Sequence, residues 1–125
     1  MKIDKEAYKK ALLKLRDDDH LSNTKYLQML KAQYTSENHT ITATNLALSV
    51  GFKNFNAANL QYGTMAHLIA DYVGYNPPSR KNGEPMWFFT LSDGNEASDE
   101  TVDGHFEFVM WPELVEALKE LKWVK

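Results

Sequence analysis

The 125-residue sequence contains no cysteine. That absence excludes disulfides, thiolate metal cages and cysteine nucleophiles together, and it accords with a reducing, cytoplasmic location. No apolar run approaches the roughly 20 residues of a membrane span. The stretch Met1 to Lys10 is charged and lacks the apolar core of a signal peptide. No glycine-rich phosphate loop is present, since Asp93-Gly94-Asn95 reads as a turn. The four histidines offer little. His67 and Asp71 lie one helical turn apart without a third ligand, His20 follows the solvated run Asp17 to Asp19, and His39 and His105 fall in a linker and at a strand start. No serine–histidine–carboxylate set can be assembled. The expectation is a protein without metal, cofactor or catalytic constellation.

Basic residues are also scarce where a nucleic-acid surface would need them. The net charge is −3, and between Glu37 and Ser79 the only basic residue is Lys53. The charge is unevenly spread. Lys2, Lys5, Lys9, Lys10, Lys14 and Arg16 crowd the first helical region, whereas Asp93 to Glu107 holds six carboxylates and no base. The acidic stretch at 92–104 reads as a solvated loop or, alternatively, as a partner-docking surface.

What is present is a good core composition, 43% hydrophobic and 12% aromatic, in a chain long enough to bury roughly two-thirds of its unfolded surface as one domain. Residues 3–16 carry Ile3, Ala7, Tyr8, Ala11, Leu12 and Leu15 at helical spacing. A second helix is expected from a Ser22 or Asn23 cap to about Tyr34, followed by a polar linker. A third starts at the Thr42 cap and stops at Gly51, with Phe52 beyond it. A fourth, capped by Asn54 or Asn56, runs to Val73 and stops at Gly74. Gly63, in its middle, costs about 1 kcal/mol against alanine and predicts close packing or a bend. Turn chemistry makes 75–85 a loop. Met86 to Leu91 and His105 to Met110 read as the two strands of a hairpin, with Phe106, Phe108 and Met110 on one face. Pro112 opens a last helix to about residue 122.

Helix, helix, short strand near Ile41, helix, tight turn, helix, hairpin, helix is the order of a winged helix-turn-helix. The expected fold is therefore α+β and mostly helical, winged helix-turn-helix-like, with a core over about 22–111, a two-stranded hairpin, and flanking helices at 3–16 and 112–122. In that fold helix 57–73 is the reading helix. Lys53, Asn54, Asn56, Asn59, Gln61 and Thr64 are its candidate DNA contacts, because asparagine and glutamine can pair bidentately with adenine in the major groove. Phosphate neutralisation supplies most non-specific affinity, so Lys9, Lys14, Arg80 and Lys81 are the candidate phosphate contacts. The same amides also serve as ordinary caps and solvated positions.

Two stretches carry a resemblance. Gly51-Phe52-Lys53-Asn54-Phe55-Asn56-Ala57-Ala58-Asn59-Leu60-Gln61-Tyr62-Gly63 is one; Pro112-Glu113-Leu114-Val115 with Ala117-Leu118 and Trp123-Val124 is the other. With the Trp87 strand between them, they resemble an uncharacterised bacterial domain that occurs alone or ahead of HNH nuclease domains in restriction-like proteins. The resemblance spans roughly 40–124 and implies a targeting module in DNA-related defence, without cleavage activity of its own. The leading expectation is a non-enzymatic module that recognises double-stranded DNA. The alternative is a protein-interaction or inhibitor module using the 92–104 loop or an apolar helix face. The charge around helix 57–73 discriminates between them.

Overall fold

Capping chemistry sets most of the helix boundaries. The structure, a computed structural model, describes residues 3–94 and 107–125. Helix α1 spans Lys5–Asp17, opened by Asp4, whose carboxylate accepts from the Ala7 amide at 2.8 Å. Helix α2 spans Tyr26–Thr35. A 3-10 turn, Glu37–His39, leads into strand β1, Thr40–Thr42. Helix α3, Ala43–Val50, is capped by the Thr42 hydroxyl at 3.1 Å from the Asn45 amide. Helix α4, Phe55–Val73, is capped by Asn54 and closed by Gly74 at φ +70°. Strands β2, Ser92–Gly94, and β3, Glu107–Met110, and helix α5, Pro112–Glu120, complete the chain.

Among the described residues the fold is α+β and mostly helical, with five α-helices on a three-stranded antiparallel sheet ordered β1-β3-β2. The register pairs Ile41 with Phe108 and Ser92 with Met110. Those four side chains are buried, whereas Thr40, Thr42, Val109 and Asp93 face outward. Tyr62 of α4 lies on the inner face, stacked on Phe108 at 4.6 Å. Its hydroxyl joins a buried polar cluster. It donates to Gln33 Oε1 at 2.7 Å and lies 2.6 Å from Ser92 Oγ. Gln33 Nε2 donates to Ser92 Oγ at 2.9 Å and to the Phe108 carbonyl at 3.1 Å. This amide thereby links α2, α4, β2 and β3. Helix α1 packs across α4 and α5 from the other side.

Several expectations are corrected. The short strand expected near Ile41 is present as Thr40–Thr42, and it pairs with the free side of β3, so the two-stranded hairpin is part of a three-stranded sheet. Met86 to Leu91 is not a strand: Trp87–Thr90 forms a 3-10 turn, and the ladder starts at Ser92. Its aromatic run has high strand propensity, but side chains capture the carbonyls that a ladder would use. The Trp111 indole donates to the Phe89 carbonyl at 2.7 Å, and the Tyr8 hydroxyl donates to that of Thr90 at 2.6 Å. Helix α2 begins at Tyr26 rather than after Ser22 or Asn23, because the Thr24 hydroxyl takes the His20 carbonyl and holds residues 20–24 in turns. Gly63 has no packing reason among the described residues, since a Cβ there would meet none of them within 4 Å. The last helix ends at Glu120, two residues early. The acidic 92–104 loop lies outside the described residues beyond Gly94.

Candidate nucleic-acid interface

Helices α3 and α4 are joined by only four residues. Val50 ends α3, and Gly51 at φ +82° reverses the chain, a conformation that costs glycine nothing. The Gly51 and Phe52 amides both donate to the Ala47 carbonyl, at 3.0 and 2.9 Å. Asn54 then starts α4 by accepting from the Ala57 amide at 3.0 Å. Ala43, Leu46, Ala47 and Val50 face inward on α3; Ala58, Tyr62, Met65, Ala66, Ile69 and Ala70 do so on α4. The inward stripe leaves Asn56, Asn59, Leu60, Gly63 and His67 on the opposite face of α4, recurring at three- and four-residue spacing.

The amide candidates do not all remain available. Asn54 is engaged as the cap. The Thr64 hydroxyl donates back to the Leu60 carbonyl at 2.8 Å. Gln61 is half-buried. Asn56 and Asn59 are exposed, and among the described residues neither side chain has a partner. Leu60, 67% exposed between them and Gly63, was missed by apolar patterning, which assigns leucines to the core. Leu48, on the outer side of α3, is 74% exposed. His67 closes the face, its ring stacked on Trp87 at 3.7 Å and its Nε2 3.6 Å from Asp71. Among the described residues no three potential metal ligands come together.

The cations fall into two groups. Lys9 sits between Glu120, at 3.0 Å, and Glu6, at 3.6 Å; Lys5 holds the other Glu120 oxygen at 2.6 Å. Hydrogen bonds from Lys5 and then Lys9 hold the Glu120 carboxyl below the usual range, and bonding to Glu120 raises both ammonium groups. Lys14 pairs with Asp18 at 3.3 Å and lies 5.4 Å from the centre of the Tyr72 ring. Tyr72 is 13 residues beyond Asn59, about 20 Å along the helix axis. Lys9 and Lys14 are therefore engaged with carboxylates, and Lys14 lies at the far end of α4. Lys53, Arg80 and Lys81 are exposed, and among the described residues their side chains form no ion pair. Lys53 lies in the α3–α4 turn; Arg80 and Lys81 lie in the loop closed by the Ser79–Pro85 bridge.

One feature of this region is an absence of acid. No aspartate or glutamate occurs between Glu37 and Asp71, although the chain has 17. A surface built from α3, the turn and the first half of α4 is consequently uncharged apart from Lys53. A second concavity, an open groove of ≈ 640 Å³, lies between the outer sheet face and α5, lined by Asn38, His39, Val109, Trp111, Val115 and Lys119 among others. Two of its polar side chains are engaged. His39 Nδ1 lies 2.7 Å from the Tyr34 carbonyl, and Lys119 pairs with Glu116 at 3.5 Å. Comparison of the chain with protein-family models, with curated proteins and with solved structures finds no match.

Proposed function

We propose that this chain is a cytoplasmic, non-enzymatic recognition module of winged-helix type, and that its target is double-stranded DNA approached by α4. The order α2, β1, α3, α4, β2, β3 with the sheet arranged β1-β3-β2 supports the topology, β2 and β3 taking the place of the wing. The observation that carries the target is the face of α4: amides at Asn56 and Asn59 without partners among the described residues, on the second helix of a tight helical pair, in a stretch with no carboxylate to repel phosphate. The sequence resemblance supplies the setting, restriction or phage defence.

Affinity in this reading is low, because few cations are placed to neutralise phosphates. Of the candidate cations, Lys53, Arg80 and Lys81 form no ion pair among the described residues, against a net charge of −3. A protein partner is the second reading. It is favoured by the exposure of Leu48 and Leu60 and by the engagement of Lys5, Lys9 and Lys14 in ion pairs. Titration against a random-sequence duplex at about 50 mM salt separates the two, since phosphate contacts are strongest at low salt. Binding is expected, and Asn59→Ala should weaken it by about 1–3 kcal/mol while leaving thermal stability unchanged. Absence of binding under those conditions would transfer the α3–α4 face to the protein-partner reading.

A further inference from the structure

Resting on the DNA reading above, we infer that the exposed face of α4 is built to read A·T pairs in the major groove, with Leu60 on a thymine methyl and Gly63 at the point of closest approach. The residue types of this face match the groups that A·T pairs present. Adenine offers an acceptor and a donor side by side, which an asparagine amide matches with two hydrogen bonds; thymine offers a methyl group, which an apolar side chain matches. Guanine is matched by arginine or lysine, cytosine by aspartate or glutamate. Along the face, Asn56, Asn59 and Leu60 belong to the first set, and neither an arginine, a lysine nor a carboxylate occurs from Phe55 to Ala70.

Leu60 answers a second question, why a large apolar side chain stands 67% exposed between two uncommitted amides. Gly63 answers a third. It is half-exposed within a 19-residue helix, where glycine is unfavourable against alanine, and a Cβ there would touch nothing among the described residues. A surface that must come within van der Waals distance of the α4 backbone accounts for its bare Cα. The Trp87 ring stacked on His67 ends the readable stretch. From Phe55 to Gly63 the helix advances about 12 Å, the length of three to four base pairs.

The test uses the full chain and fluorescence anisotropy at about 50 mM salt, with four duplexes of one length. One holds mixed A·T pairs, one G·C pairs, one inosine·cytosine pairs, and one repeats the A·T sequence with uracil for thymine. Inosine presents the major-groove edge of guanine without its minor-groove amino group, so it separates the two grooves. The A·T duplex is expected to bind about tenfold tighter than the G·C duplex, with inosine·cytosine behaving as G·C. Uracil should cost about threefold, the value of one methyl group, and Leu60→Ala should abolish that difference. Gly63→Ala should raise the melting temperature by about 3–5 °C while weakening A·T binding. Equal binding of A·T and G·C duplexes, or inosine·cytosine behaving as A·T, would overturn this inference and leave the DNA reading standing. No binding to any duplex would remove both.

Discussion

The two ends of α4 are built on opposite principles. Near its C-terminus charges are paired, Lys14 with Asp18 and Asp18 with the Tyr72 hydroxyl at 3.0 Å, and farther along α1 Lys5 and Lys9 share Glu120 of α5. Near its N-terminus there is almost no charge, and the Asn56 and Asn59 side chains stand without partners among the described residues. Exposed ion pairs contribute little to stability, so the first arrangement serves chiefly to fix how α1 and α5 meet. The second leaves a surface that the fold itself does not use. In the function proposed above, the uncharged end is the one that would meet the ligand.

The comparison breaks hardest at the residue that anchors α4 to the sheet. Tyr62 is fully buried, stacked on Phe108 and bonded to Gln33. Tyr62→Ala should cost about 3–5 kcal/mol in denaturant unfolding, and Tyr62→Phe, which keeps the ring and strands the Gln33 oxygen, about 1–3 kcal/mol. A loss under 0.5 kcal/mol for the alanine variant would show that α4 is not pinned to the sheet as described. A salt titration of duplex affinity sharpens the contrast. Alanine at Lys53 or Arg80 should reduce the magnitude of the log–log slope by about 0.9 each, one phosphate contact apiece, whereas Lys9→Ala should leave the slope unchanged because Glu120 already occupies that ammonium. An equal change for Lys9 would place the charged end in contact with DNA as well.

The smallest effect lies with pH. Lys5 and Lys9 depress the Glu120 carboxyl, so the contribution of the α1–α5 clasp is present above the ordinary glutamate range and is lost as pH falls through the lowered value. Comparing Glu120→Gln with the parent chain, the parent's advantage should be constant near neutrality and vanish in acid. An advantage that persists below pH 3 would show that the clasp works through packing alone.

Legibility in the sequence followed how local the chemistry was. The Thr42 cap, the Gly51 stop, the Asn54 cap and the Gly74 stop are read from neighbouring residues, and each sits where local rules place it. Trp87 to Thr90 went astray because its conformation is decided by Trp111 and Tyr8, 22 and 82 residues away. Gln33 carries no sequence signal at all; glutamine is ordinarily a surface residue, and only the convergence of Tyr62, Ser92 and the Phe108 carbonyl makes its burial favourable. At the candidate site the amides were legible by type. Their division into engaged caps and free groups was not, because that depends on which turn of α4 each one occupies. Leu60 escaped for a related reason, since its exposure is a property of helix phase against the sheet.

The Gln33 side chain has a consequence for how the molecule opens. Its amide bonds across three other elements, so α2 cannot detach without also releasing α4, β2 and β3 from their shared polar contacts. Partial opening there would strand several buried polar groups at once, each costing about 1–3 kcal/mol. Fluctuations that expose the sheet are thereby merged into the global unfolding reaction.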